Sequence, residues 1–231
     1  EVVSDVAGTT PDSALVTINM TALPAGTLIA DTLDDINNAP AAATILWAGE
    51  ITCIEDEDAD LNEAHCILLK ANQKLLGTGV VAGVTVINPN AKLIINLTDG
   101  SITGAITGIK LANGITIEGL EISGEAAEFY TGISGKAVNL SGTITLENVS
   151  IVGPTLNAPF TIRFDGDGGD AFGSYYTLNV DGLSITNATN PIGINAFSSL
   201  EFKNSTIGMN IEYAPSVREF GISFHAYGDA T

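Results

Sequence analysis

Positive charge is scarce in this chain. Lys and Arg number 8 against 27 Asp and Glu, which gives the 231 residues a formal net charge of −19 at pH 7. Such a surface repels nucleic-acid phosphates and anionic lipid headgroups, so we expect neither as a partner. The sequence also lacks any uninterrupted apolar run of about 18 residues, so we expect no segment to span a membrane as a helix.

Cysteine is almost absent. The two cysteines, Cys53 and Cys66, bracket an acidic run at residues 55–60. An even pair in an acidic, lysine-poor chain favours an oxidising compartment and predicts a Cys53–Cys66 disulfide, with two free thiols as the alternative. The sequence starts at Glu1 rather than Met, which fits removal of a secretory signal peptide or, equally, a start point selected for expression. We therefore expect a secreted protein, extracellular or at the cell surface.

Aromatic residues make up only 6% of the sequence, whereas glycine occurs 25 times and Ile, Leu, Val and Thr fill the patterned stretches. That composition favours β-strands. A chain of this length can bury one continuous core, so we expect a single domain over residues 1–231.

One short frame recurs four times. It reads apolar-x-apolar-x-(Gly/Asn)-apolar-x-apolar at residues 115–122, 144–151, 178–185 and 200–207, with Ser205 at one apolar position of the last copy. Alternation turns every second side chain inward, and Gly or Asn tolerates the left-handed backbone of a bend. Repeats this short predict a β-solenoid. We expect its bends to form a ladder of equivalent residues in consecutive coils: Gly119, Asn148, Gly182 and Asn204.

A third strand precedes each frame in this interpretation. We place these strands at residues 109–111, 138–140, 162–164 and 192–194. The third coil carries an insertion between its third strand and its frame, and insertions in solenoids commonly map to one binding face.

The sequence divides into four stretches. Residues 1–30 form an N-terminal arm or strand, 31–51 a cap helix and first strand, 52–209 the coils, and 210–231 a C-terminal strand segment. The helix is predicted at 31–38, because acids open it and Leu33 and Ile36 are three apart. A solenoid needs such a cap, since its terminal coil otherwise presents bare apolar side chains.

The order of cap helix, Ala39-Pro40 bend, strand at 45–51 and the stretch from Ile67 resembles the opening of pectin-lyase-like proteins. The four frames are similar to the repeats of that superfamily, including its non-catalytic autotransporter and adhesin branch. The resemblance covers roughly residues 30–210. It implies an all-β, single-stranded right-handed parallel β-helix with a short N-terminal capping helix. It leaves function open, because this fold hosts lyases, hydrolases, adhesins and structural coils.

Catalytic chemistry has little support. Hydrolases of the superfamily use clustered acids and a histidine, but His65 and His225 should lie far apart. Lyases use calcium-binding acids and a basic residue, for which Arg163 is the one candidate. An ion-paired surface role is the simpler reading of Arg163, because a guanidinium resists deprotonation. We therefore assign no catalytic residue and keep Arg163 as the alternative.

The inserted loop offers oxygen ligands and aromatic rings. Asp165, Asp167 and Asp170 lie on a glycine-rich stretch and could bind calcium, with a solvated acidic turn as the alternative. Tyr175 and Tyr176 are candidate rings for stacking on sugars. The residues before the bends, Glu118, Glu147, Asp181 and Lys203, should form an outward column.

Two functions are carried forward. The first is a secreted structural or adhesive subunit that assembles with copies of itself, head to tail, into filaments. Its candidate assembly strands contain Val16, Ile18 and Met20 at one end, and Phe220, Ile222 and Phe224 at the other. The second is a carbohydrate-active or carbohydrate-binding β-helix, similar to polysaccharide lyases, that uses residues 163–177, with glycans as partners and calcium as the candidate cofactor.

Overall fold

The computed structural model describes residues 26–47, 49–54, 65–77, 79–81, 84–86, 91–96, 106–125, 130–153, 161–165, 175–188, 190–209 and 222–225. Within these ranges the chain is all-β, apart from the helix α1 (Leu33–Asn38) and a 3-10 turn at Ala137–Asn139.

The strands are short and follow one another along the chain. The first eleven are β1 (Thr27–Ala30), β2 (Thr44–Trp47), β3 (Glu50–Ile54), β4 (His65–Leu68), β5 (Lys74–Leu76), β6 (Gly79–Val81), β7 (Val84–Val86), β8 (Lys92–Asn96), β9 (Ile106–Lys110), β10 (Thr116–Glu118) and β11 (Glu121–Glu125). The remaining ten are β12 (Tyr130–Lys136), β13 (Gly142–Glu147), β14 (Ser150–Val152), β15 (Ile162–Asp165), β16 (Tyr176–Asp181), β17 (Ser184–Ala188), β18 (Ile192–Asn195), β19 (Phe197–Lys203), β20 (Thr206–Met209) and β21 (Ile222–His225).

Three parallel sheets hold all of these strands except the β6–β7 hairpin. Sheet one has the order β1-β2-β5-β10-β13-β16-β19, sheet two β3-β8-β11-β14-β17-β20, and sheet three β4-β9-β12-β15-β18-β21. After β1 the chain passes through sheets one, two and three in that order, six times from β2–β3–β4 to β19–β20–β21. This stacked, parallel arrangement is compatible with a parallel β-helix.

Apolar residues at equivalent positions in consecutive strands form the core. In sheet three, Ile67, Ile109, Ile133, Ile162 and Ile192 are in register and fully buried. The period of two in the strands places alternate residues on the outside. One cluster of buried residues extends from Ala30 to Ala196, so the core is continuous through the stack.

The strand predicted at 138–140 is wrong. Val138 lies in the 3-10 turn, and β12 instead brings Ile133 into register with Ile109 and Ile162. The reason lies at Gly135, which is in register with Phe164 and has no side chain to fill the core. A Cβ on Gly135 would come within 2.9 Å of Leu140 Cδ1, so Leu140 occupies that space from the turn. The sequence pattern therefore identified the right core residue on the wrong element.

The single strand predicted at 45–51 is also wrong. The stretch forms two strands, β2 in sheet one and β3 in sheet two, with Gly49 between them at φ +92°. That left-handed backbone turns the chain from one sheet to the next.

The cap helix is confirmed and begins two residues later than predicted, at Leu33. Thr32 Oγ1 accepts a hydrogen bond from Asp35 N at 3.1 Å, and Asp35 Oδ2 accepts one from Thr32 N at 3.0 Å. This capping box satisfies N–H groups at the helix N-terminus. Ile36 is fully buried against the core.

Asn37 joins the cap to sheet three. Its Nδ2 donates to Cys66 O at 3.0 Å and its Oδ1 accepts from Leu68 N at 2.9 Å. β4 is the edge strand of sheet three at the N-terminal end of the stack. The Asn37 side-chain amide thus forms hydrogen bonds with backbone groups on the open side of β4, with which another strand would otherwise pair.

Candidate functional site

The bends between sheets one and two are left-handed. Gly119, Asn148, Gly182 and Asn204 have φ of 66°, 51°, 68° and 47°. Each of the first three donates its N–H to the residue before the bend in the next coil: Gly119 to Glu147 O, Asn148 to Asp181 O and Gly182 to Lys203 O. A Cβ on Gly182 would lie 2.6 Å from Asn148 Oδ1, so the Asn148 side chain extends over the next bend.

Gly77 extends this ladder and was missed in the sequence. Its N–H donates to Glu118 O at 2.7 Å, in the same pattern as the other bends. A Cβ there would collide with the Gly119 carbonyl oxygen. The available signal was its place directly after the apolar pair Leu75-Leu76, but the stretch lacks the full eight-residue frame.

Acidic side chains line the outside of sheet one beside the bends. Glu118, Glu147, Asp181 and Lys203 are in register in consecutive strands, as the alternation predicted. Asp181 Oδ1 accepts from Asn204 Nδ2 at 2.8 Å, and Lys203 Nζ lies 2.9 Å from Glu201 Oε1. The hydrogen bond to Glu201 raises the pKa of Lys203 above its usual value. The negative charge at the C-terminal end of the column is therefore partly neutralised.

The candidate polysaccharide site is described only in part. Arg163 is exposed on the outward side of β15, between the buried Ile162 and Phe164. Asp165 ends that strand, and the predicted calcium ligands Asp167 and Asp170 lie outside the described residues. Among the described residues, no group of three His, Cys, Asp or Glu side chains is arranged to hold a metal ion.

Tyr176 is not a sugar-stacking residue, contrary to the prediction. Its ring is 1% exposed and packs edge-on against Phe164, with ring centroids 5.4 Å apart. Its hydroxyl donates to Asn195 O at 2.8 Å, and burial raises its pKa. The ring faces inward because Tyr176 opens β16 on the same side as Leu178 and Val180. Tyr175 remains half-buried at the edge of the core.

The two histidines lie on opposite edge strands of sheet three, His65 in β4 and His225 in β21. Four strands separate them, so they cannot act together on one substrate within a single chain.

The predicted disulfide is confirmed. Cys53 in β3 and Cys66 in β4 are bonded, with their Cα atoms 5.7 Å apart. Both residues are buried, and the bond joins sheets two and three within the first coil. It therefore fixes the first coil next to the cap helix.

Both ends of the stack expose apolar residues. Leu28 and Ile29 in β1 are 38% and 61% exposed, and Ile222 in β21 is 45% exposed. Ile222 is in register with Ile192, which is fully buried one coil earlier. Leu200, Phe202 and Ile207 of the last coil are only partly buried. The predicted assembly residues Val16, Ile18, Met20 and Phe220 lie outside the described residues; Phe224 lies in β21, in register with Ile194.

One more position was missed in the sequence. Gln73 is a fully buried polar residue whose Nε2 donates to Ala39 O at 3.1 Å and to Pro40 O at 2.8 Å. It connects the chain just after the cap helix to the second coil. A lone glutamine in a loop gives no sequence signal of such a role.

No helix in the described part of the chain has the length and apolar character needed to cross a membrane. Comparison with protein-family profiles, with curated proteins and with solved structures gives no match to this chain.

Proposed function

We propose that the chain is a secreted structural or adhesive subunit, folded as a right-handed parallel β-helix similar to the adhesin-like branch of the pectin-lyase-like proteins. Copies of the subunit join head to tail into extracellular filaments. The disulfide and the acidic composition support an oxidising compartment outside the cytosol.

The observation that carries this proposal is the incomplete burial at both ends of the stack. Inward-facing residues of the inner coils are buried, whereas Leu28 and Ile222 are exposed and Leu200, Phe202 and Ile207 of the last coil are only partly buried. Strand edges at the end of a sheet present unpaired N–H and C=O groups to another chain. Joining opposite ends of two copies would cover both sets of groups.

The N-terminal end favours sheet one as the joint. The edge of sheet three is occupied by Asn37, but β1 has only β2 as a strand neighbour among the described residues. Thr44 N donates to Gly26 O, so residues 26, 28 and 30 direct their backbone groups toward β2. Ile29 therefore directs its N–H and C=O away from β2, where β19 of a second copy can pair.

This contact joins two different surfaces at opposite ends of the stack, so its repetition along the stack axis produces an open filament. Negative-stain microscopy and sedimentation of the full chain test it directly. We expect filaments for the full chain. Deletion of residues 1–23 retains β1, so filaments should persist if the β1 edge is the joint; a folded monomer would instead assign the joint to the run around Val16, Ile18 and Met20. A full chain that stays monomeric at high concentration, with and without calcium, would refute the proposal.

The second candidate is carbohydrate binding or cleavage at residues 163–177. It is favoured by the exposed Arg163, which directly precedes the acidic loop. If Asp165, Asp167 and Asp170 bind calcium there, calcium should raise the melting temperature of the wild type but not of Asp167→Ala. Equal responses would indicate general screening of the negative charge and no specific site.

A further inference from the structure

The turn before β13 presents an Asn-x-Ser sequence on the surface. Asn-x-Ser/Thr sequons accept N-linked glycans, and they belong on the surface of a secreted protein. The chain contains six of them, which begin at Asn19, Asn96, Asn139, Asn148, Asn187 and Asn204. The sequons at 139, 148 and 204 lie entirely within the described residues, so their surroundings can be compared.

The 3-10 turn before β13 holds Asn139 and Ser141 outward. Ala137 and Leu140 are buried, and the backbone of Leu140 is extended. Leu140 points inward to fill the space beside Gly135, so the residues on either side of it face the solvent. Asn139 and Ser141 are accordingly both exposed.

The fold does not depend on the Asn139 side chain. Among the described residues, neither the Asn139 amide nor the Ser141 hydroxyl takes part in a hydrogen bond. The turn is held by its main chain, since Leu140 N donates to Ala137 O at 3.1 Å. Ser141 N also donates to Asn113 Oδ1 of the preceding coil at 2.9 Å. A sugar on Asn139 therefore replaces no contact within the stack.

The other two completely described sequons lie in the bend ladder between sheets one and two. Asn148 Oδ1 lies over Gly182 of the next coil, 2.6 Å from the place a Cβ would take. Asn204 Nδ2 donates to Asp181 Oδ1 of the preceding coil at 2.8 Å. The amide group of each asparagine is thus engaged between neighbouring coils, and a glycan has to compete with that contact.

Asn139 also lies in the middle of the stack. It falls between β12 of sheet three and β13 of sheet one, with three passes of the chain through the sheets before it and three after it. Asn204, by contrast, directly follows β19, the terminal strand of sheet one, where the proposed head-to-tail joint forms. A glycan at Asn139 leaves that joint open and covers the side of the stack.

We infer that Asn139 is the acceptor of an N-linked glycan on the side of the stack. The donor is a lipid phosphate-linked oligosaccharide, and an oligosaccharyltransferase catalyses the transfer. Asn139 Nδ2 forms a bond to C1 of the first sugar, the C1–O bond to the lipid phosphate breaks with its electron pair on oxygen, and Nδ2 gives up one proton. The inference rests on the proposed function for secretion alone and does not require filaments.

A comparison of the folded chain with its own peptides tests whether the fold selects this site. The full chain with its disulfide, and the peptides obtained from it by proteolysis, are each incubated with a single-subunit oligosaccharyltransferase and a lipid-linked oligosaccharide. Mass spectrometry then measures the occupancy of each sequon. We expect modification of all three sequons in the peptides, but of Asn139 and neither Asn148 nor Asn204 in the folded chain.

Sequon variants of the full chain test the site during secretion. The chain is secreted from eukaryotic cells, and its mass is measured before and after treatment with peptide-N-glycosidase. Ser141→Ala removes the sequon and keeps Asn139, so it should remove one glycan from the secreted chain, whereas Ser141→Thr should retain it. Ser150→Ala removes the sequon at Asn148 in the same way and is the matched control; it should leave the glycan mass unchanged.

The inference is overturned if the folded chain is modified at Asn148 or Asn204 as much as at Asn139, or if Asn139 is modified in the peptide and not in the folded chain. It is also overturned if Ser150→Ala removes a glycan and Ser141→Ala does not. Glycosylated chains that stay monomeric would refute the filament proposal and leave the Asn139 site standing. Filaments of secreted chains that are unmodified at Asn139 would do the reverse.

Discussion

At the scale of single residues, the bends limit which side chains the fold accepts. Gly119 and Gly182 have φ near +67°, and Asn148 and Asn204 occupy the equivalent positions with φ near +50°. A β-branched residue is strained in this region of backbone space, whereas Gly is not and Asn tolerates it. These four bends therefore carry the two residue types that tolerate this backbone.

Gly119→Val should destabilise the protein by about 1–2 kcal/mol, because valine is forced into a left-handed backbone. Chemical denaturation monitored by circular dichroism measures the difference. Thr116→Val, in the adjacent β10 and on its outward side, introduces the same residue at an extended backbone and should change stability by less than about 0.5 kcal/mol. Equal effects of the two substitutions would mean that the bend backbone is not the cause.

Residue patterns predicted the bends and the inward positions well, because both depend on local backbone sterics and on a period of two. They failed where a residue from elsewhere in the chain supplies the contact. Leu140 fills the space that Gly135 leaves in β12, and Gln73 binds carbonyls more than 30 positions away. Such contacts depend on the packed coils, so no local pattern encodes them. The role of Tyr176 was predicted wrongly because the repeated frame begins at residue 178, whereas β16 begins at Tyr176 and turns that side chain inward.

At the scale of elements, the cap helix makes the stability of the protein depend on pH. Thr32 Oγ1 donates to the Asp35 carboxylate at 2.7 Å, and this bond, followed by that from Asp31 N, holds the pKa of Asp35 below 3.8. A lowered pKa in the folded state favours the ionised form of Asp35. Its contribution to folding is therefore present above pH 3.8 and is lost as the pH falls through the lowered value.

Asp35→Asn should accordingly lower the melting temperature at neutral pH and differ less from the wild type in strong acid. Thr32→Ala should reduce the same acid dependence in part, because the two backbone hydrogen bonds to Asp35 remain. Melting curves recorded from neutral pH to well below 3.8 measure both. Asp34→Asn in the same helix turn is the matched control; a parallel shift in that variant would assign the effect to net charge.

The disulfide is the covalent link between elements of the first coil. Joining Cys53 and Cys66 closes a loop of 14 residues, which corresponds to about 3 kcal/mol in the chain-entropy account. Replacing both cysteines with alanine should lower the free energy of unfolding by about that amount, and mass spectrometry after alkylation of the unreduced wild type should find no labelled thiol. Labelling of both cysteines would contradict the bond and weaken the extracellular assignment.

At the scale of the whole molecule, the repeats predicted the stacking of strands, but only the structure shows which sheet edges at the ends of the stack are covered. The four frames cover only the later coils, and nothing in the sequence showed that Asn37 covers one sheet edge while β1 leaves another open.

Head-to-tail growth predicts that a subunit blocked at one end terminates a filament. Ile29→Pro removes an edge N–H that faces away from β2, so the β1–β2 ladder and the fold should survive. Such a subunit can still bind through its C-terminal edge but offers no edge for the next one. About one part in ten mixed with wild type should shorten the filaments seen by negative-stain microscopy to roughly ten subunits. Ile29→Ala loses the exposed side chain but keeps the N–H, so it should join without terminating growth. Equal shortening by both variants would assign the joint to apolar contact instead of strand pairing, and unchanged length with both would exclude the β1 edge.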